Sequence, residues 1–178
     1  MDEVETGFKT LVARIEAREK EKVNLVEELR KKDSLLLTRM AKSAKPLILK
    51  IGLNMLERGK QDTKGELYDT SFFRKKMIVL GKTEPEGQRP DNQAKKVDDQ
   101  FCVFSEDGKF YELLYSFDGF MVDSYLQPLT PDQALTRYGM DIMVMLYLAL
   151  KDYLEGEEEL VKALKLTLGY LYPEKMKR

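Results

Sequence analysis

"EDGKFYELLYSFDGF", residues 106–120, carries an Asp-Gly pair near each end of an aromatic-rich run. Asp-Gly between alternating apolar residues signals a β-hairpin, because both central residues of a type I′ turn need positive φ. Placing Asp107-Gly108 and Asp118-Gly119 in two-residue turns fixes which residues oppose each other. Phe104 then faces Tyr111, Cys102 faces Leu113, Phe117 faces Phe120 and Tyr115 faces Val122. Side chains alternate along a strand. One surface therefore collects Cys102, Phe104, Tyr111, Leu113, Tyr115, Phe117, Phe120, Val122 and Leu126. The other mixes Asp99, Glu112, Ser116, Asp123 and Tyr125 with Phe101, Val103, Phe110, Leu114 and Met121. A one-residue slip of the middle strand would put Glu112 among core side chains, so this register is preferred. The stretch Val97 to Leu126 reads as a three-stranded meander whose Asp-Gly pairs turn the chain.

Upstream of the meander, "EPEGQRPDNQAKK" (84–96) is a loop rich in turn residues, and "ELYDTSFF" (66–73) and "KKMIVLGKT" (75–83) read as short strands. "KPLILKIGLNMLERG" (45–59) reads as a helix from Pro46 to Arg58, with proline in its first turn and Gly59 at its C-terminal cap. Residues 1–44 form an N-terminal helical arm, one long helix or a hairpin with a break near Asp33-Ser34. Its heptad seam runs through Phe8, Val12, Ile15, Val26, Leu29, Leu36 and Met40, interrupted by Glu19, Lys22 and Asp33.

Downstream, Thr130, Pro131 and Gln133 in "QPLTPDQAL" form a capping box. "MDIMVMLYLAL" (140–150) reads as a buried helix ended by Gly156. "EEELVKALKLTLGYLY" (157–172) reads as a second helix with Pro173 beyond it. The expected fold is α+β: a long N-terminal helix or helical hairpin, a three- to four-stranded antiparallel meander, and two C-terminal helices packed on the sheet. Residues 45–178 form a single α+β domain.

Composition removes much chemistry. The 178 residues include no histidine and one cysteine, so imidazole-dependent nucleophiles and histidine or multi-thiolate metal sites are excluded within one chain. No apolar run approaches membrane-spanning length, and the acidic start lacks the character of a signal peptide, so the expected location is the cytoplasm, with no membrane partner. The net charge of −1 conceals segregation. Residues 30–82 hold fourteen basic and five acidic side chains, net +9, and residues 83–129 hold four and ten, net −6.

Three surfaces qualify as candidate sites. The heptad residues suit self-association or a protein partner, provided the arm does not fold back on its own core. Lys32, Arg39, Lys42, Arg74, Lys75 and Lys76 suit phosphate, hence nucleic acid, as the alternative. Asp99, Glu112 and Asp123, on one predicted sheet face, raise a metal-dependent enzyme or small-ligand binder, against the simpler reading that they face solvent. Tyr138, Met140, Met143 and Met145 line an apolar pocket or pack in the core. The expectation is a non-catalytic protein without a cofactor, acting by self-association or partner docking through its N-terminal helices.

Overall fold

A computed structural model describes residues 2–172; the proline expected to follow the last helix, Pro173, lies outside them. Helix α1 (Asp2–Ile51) is followed by strands β1 (Leu53–Gln61), β2 (Leu67–Thr83), β3 (Gln88–Arg89), β4 (Asn92–Lys96), β5 (Asp99–Ser105), β6 (Phe110–Phe117) and β7 (Met121–Leu129). Helices α2 (Pro131–Tyr138) and α3 (Asp141–Leu171) complete the chain. The fold is α+β, as expected. Its sheet is larger than a four-stranded meander: β1, β2, β5, β6 and β7 close into an antiparallel barrel, and β3 and β4 form a separate hairpin within the expected loop. Closure joins β1 to β7 through Arg58–Asp123, Gly59–Val122 and Lys60–Met121, removing both sheet edges.

The Asp-Gly pairs do turn the chain. Asp107 Oδ1 accepts from the Lys109 N–H, and Asp118 Oδ1 accepts from the N–H groups of Phe120 and Met121. Gly108 and Gly119 have φ of 81° and 92°, a region where a side chain would be strained. The turn lengths differ from expectation. The Ser105 N–H donates to Lys109 O, leaving the loop Glu106-Asp107-Gly108 with glycine at its left-handed position, the usual three-residue hairpin. One extra loop residue moves the β5–β6 register by one: Phe104 pairs with Phe110 and Cys102 with Glu112. In the second hairpin Phe117 pairs with Val122 and Tyr115 with Ser124. That two-residue offset preserves the expected β6 and β7 faces, whereas the odd shift exchanges the faces of β5.

The slip that buries Glu112 is thus the observed one. It is tolerated because both faces of this sheet are covered. Met77, Val103, Tyr111 and Leu113 fill the barrel, with Met55, Phe73, Phe101, Tyr115 and Leu126 around them. Outside it, Leu80, Cys102, Phe104, Phe110 and Leu129 pack under α1, α2 and α3, meeting Leu37, Ala41, Ala44, Ile48, Leu135 and Ile142. Gly81 allows this close layer: a Cβ there would lie 3.3 Å from Ile142 Cγ2.

Helix boundaries need three corrections. α1 has 50 residues, about 75 Å at about 1.5 Å per residue, and runs unbroken past Asp33-Ser34 and Pro46. It ends at Gly52, whose N–H returns to Ile48 O at 2.8 Å. Leu53–Arg58 is strand rather than helix, and Gly59 is buried within β1 rather than capping a helix. A short apolar run fits either period; here barrel closure requires a strand, whose ladders run to β2 and β7. The residues expected as two strands between 66 and 83 form one strand, β2, with register shifts in its ladders to β1 and β5. At the other end, the Thr130–Gln133 capping box is present on both arms, but the break between the C-terminal helices falls at Gly139, φ 76°, and not at Gly156.

Gly156 therefore sits inside α3, where an added Cβ would meet nothing within 4 Å. Gly156→Ala is expected to stabilise α3 by about 0.5–1 kcal/mol. Amide exchange around residues 152–160 should slow by roughly threefold; unchanged or faster exchange would contradict an unhindered helical site.

Candidate functional site

Buried residues of α1 fall at Leu37, Ala41, Ala44 and Ile48, one stripe at steps of four and three that packs on the core. Toward the N-terminus the same side of the helix continues through Leu29, Val26, Ile15, Val12 and Phe8. There the cover stops. Phe8 is 66% exposed, Ile15 50% and Leu29 59%; Val12 is half-buried. α1 leaves the body near Arg30, whose Nε and Nη2 donate to the two carboxylate oxygens of Asp132 at 2.7 and 2.6 Å, with Thr136 Oγ1 also within 2.6 Å of Nη2. Residues 2–29 thus extend roughly 40 Å at about 1.5 Å per residue. Of the remaining heptad positions, Leu36 is exposed and Met40 packs against the chain's own core.

α3 repeats the pattern. Ile142, Met143 and Leu146 are buried, and Tyr153 is half-buried on the same side. The continuation of that side, through Leu160, Val161, Leu164, Leu168 and Leu171, is exposed. The sequence displays this second stripe, but nothing in its period separates an apolar face that meets a sheet from one that does not. A cleft of about 270 Å³ lined by Val26, Leu29, Leu135 and Met140, among others, lies between α1 and the α2–α3 junction.

The six basic candidates do not form one patch. Lys76 Nζ donates to Leu49 O at the C-terminal end of α1, and Lys75 Nζ pairs with Asp107 and lies 3.2 Å from Tyr111 Oη. Lys32 is paired with Glu28 and sits about 25 Å farther along the helix. Arg39, Lys42 and Arg74 make no ion pair among the described residues.

The three acidic candidates separate, each held by its own cations. Asp99 pairs with Lys82 at 2.5 Å. Asp123 accepts from Arg89 Nη1 at 2.8 Å and from Lys95. Glu112, 2% exposed, accepts from Gln100 Nε2, Gln127 Nε2, Tyr138 Oη and Arg137 Nη1 at 2.7, 2.7, 2.9 and 2.5 Å. Glu112 and Asp123 are buried instead of facing solvent. A buried carboxylate needs this full set of donors and a cation. Among the described residues no cluster of three or more acids or cysteines is placed to hold a metal ion. Tyr138, one of the expected pocket residues, belongs to the Glu112 network; Met143 is in the core, and Met140 and Met145 are exposed.

Burial pushes the Cys102 thiol up to about 12, with the Glu112 charge adding to the effect; the thiol is not a nucleophile near neutral pH. A polar cleft of about 540 Å³ contains Arg89, Asp91, Lys95 and Asp123. There Arg89, 4% exposed, holds Asp91 through Nε and Nη2 and Asp123 through Nη1. The contacts clamp the β3–β4 hairpin onto β7.

Hydrogen bonds from Arg89 hold the Asp91 carboxyl below its usual range, outweighing burial. Burial raises Asp107, but hydrogen bonds from Lys75, Tyr111 and the Lys109 N–H outweigh it and leave it lowered as well. A carboxyl whose folded value lies below its unfolded value, about 3.9, stabilises the fold above that value and loses this contribution as pH falls through the folded one. Urea midpoints should therefore be level between about pH 7 and 5 and fall below about pH 4. Asp91→Asn should shallow that fall; an unchanged profile would refute the assignment.

The chain matches no family model, no curated protein and no solved structure. What the geometry defines is an α+β protein with a closed five-stranded barrel and two helices that run past it with uncovered apolar sides. No helix among the described residues is long and apolar enough to cross a membrane.

Proposed function

We propose that this protein is a non-catalytic assembly module that docks helices of another polypeptide chain onto its projecting N-terminal helix. One observation carries the reading: the side of α1 that packs on the core at Leu37–Ile48 continues uncovered to Phe8. Most helical stability in proteins comes from packing an apolar face, and the apolar side of this arm gains that stability only by burial against a partner. The exposed side of α3 offers a second surface of the same kind. The pairing of Asp99, Glu112 and Asp123 with cations and the burial of the one thiol support a role without chemistry.

Light scattering tests the reading. The full chain is expected to run as a dimer or larger at about 100 μM, and Phe8→Glu/Ile15→Glu to run as a monomer with the body's thermal midpoint within about 2 °C of wild type. A wild-type monomer whose residues 2–29 still show strong amide protection would overturn it, because the arm would then need no partner. Nucleic-acid docking on the basic residues is the alternative; it has less support, because the candidates are spread along the body-bound part of α1 and onto β2, and Lys32 and Lys75 are held by Glu28 and Asp107. It requires affinity that drops steeply with salt, and no binding to RNA or DNA at low salt removes it.

A further inference from the structure

We infer that the polar cleft between β1 and the β3–β4 hairpin binds a small zwitterion of the amino-acid type, its carboxylate on Arg58 and its ammonium group on Glu57. The cleft shares no residue with the exposed sides of α1 and α3, so it stands whether or not those helices find a partner. It opens at the barrel seam, where the β1–β7 ladder spans Arg58 to Lys60. Just before that ladder, two steps along β1 from Leu56 to Arg58 match one along β2 from Phe72 to Ser71. Glu57 is thus the extra residue of a β-bulge, a device that re-aims side chains. Hydroxyls pin it: Tyr115 Oη donates to Leu56 O at 3.0 Å, and Ser124 Oγ lies 3.1 Å from Leu56 O and 2.9 Å from Glu57 O. Neighbours in a regular strand face opposite ways; here Glu57 and Arg58 both line the cleft.

Every described side chain on the cleft wall is polar or charged, and the charges balance: Arg58, Arg89 and Lys95 against Glu57, Asp91 and Asp123. No net field draws in an ion of one sign. Arg89 and Lys95 are committed, because the four carboxylate oxygens of Asp91 and Asp123 each take a donor from them. One cation and one carboxylate remain. Arg58 and Glu57 are exposed and, among the described residues, make no ion pair with each other or with a third group. Ser71, opposite Arg58 on β2, has a hydroxyl uncommitted among the described residues, and Asn92 spends Oδ1 on the Ala94 N–H and keeps its Nδ2 donors. A ligand carboxylate accepts from the Arg58 fork and from these two groups, while a ligand ammonium group donates to Glu57. A simple anion would meet Glu57 as a like charge, and a simple cation would meet Arg58. The volume of about 540 Å³ leaves room beyond the two charged groups, and the polar wall favours a side chain that hydrogen-bonds.

Titrating the full chain with glutamine and following the backbone amide signals of Glu57, Arg58, Ser71 and Asn92 tests this. Glutamine supplies both charges and a polar side chain, glycine supplies both charges alone, and acetate and methylammonium supply one each. The expected result is saturation by glutamine at about millimolar concentration, with acetate and methylammonium at least about tenfold weaker. Arg58→Gln and Glu57→Gln change exposed side chains. Each should weaken glutamine by about tenfold or more and leave signals outside the cleft in place. Acetate binding as well as glutamine, or Glu57→Gln tightening the site, shows an anion site and overturns the zwitterion. Methylammonium binding as well as glutamine, or Arg58→Gln tightening the site, shows a cation site and overturns it equally. No saturable shift with glutamine or glycine up to about 50 mM removes the inference, while the oligomeric state read by light scattering is untouched by any of these results.

Discussion

Arg137→Ala is expected to lower stability by about 2–3 kcal/mol, which for a chain of this size moves the thermal midpoint down by roughly 6–8 °C. The cause lies across the β6–α2 contact: among the described residues, Arg137 is the one cation on the buried Glu112 carboxylate. Removing it leaves a charge in the outer core with three neutral donors. Arg137 is itself 45% exposed, so water replaces part of what is lost, and the effect falls below that of a fully enclosed pair. Removing the charge should remove the need for the cation. In a Glu112→Gln background, Arg137→Ala is expected to cost under about 1 kcal/mol, a coupling that a double-mutant cycle reads directly. Equal losses in both backgrounds would show that Arg137 acts through packing alone.

The second large effect is expected at the junction of α1 and β1. A Cβ on Gly52 would stand 2.7 Å from Ile48 O, 3.0 Å from Met77 N and 3.1 Å from Lys76 Cβ. Two of those atoms are backbone and cannot rotate away. Ile48 and Met77 are both fully buried, one in the layer under the helices and one inside the barrel. Gly52→Ala must therefore push two packed elements apart, and should cost about 2–3 kcal/mol in chemical denaturation. Gly7, in the exposed arm, has nothing within 4 Å, and Gly7→Ala serves as the control, neutral or slightly stabilising. A Gly52→Ala protein as stable as wild type would contradict the close approach.

Local signals account for what was legible in the residues. The Thr130–Gln133 box, the turn roles of Asp107 and Asp118, and the amphipathic α1 are short-range devices, each satisfied by hydrogen bonds or periodicity within one segment. The β6–β7 faces were legible too, because an offset of two residues preserves parity. The β5 face was not: Asp-Gly suits a two-residue loop as well as a three-residue one, and one residue of loop exchanges a whole strand's sides. Nor was the C-terminal break, since both Gly139 and Gly156 are plausible stops and only Gly139 is placed at positive φ.

By itself the sequence determined the α+β class, the helical start of the chain and the absence of imidazole chemistry, because composition and period act within a single segment. Tertiary structure alone decided that the sheet closes, that Glu112 lies beneath α2, and where α1 and α3 cease to be covered. Those outcomes depend on which surfaces meet across long separations in the chain, and an apolar residue carries the same period whether it is buried or bare.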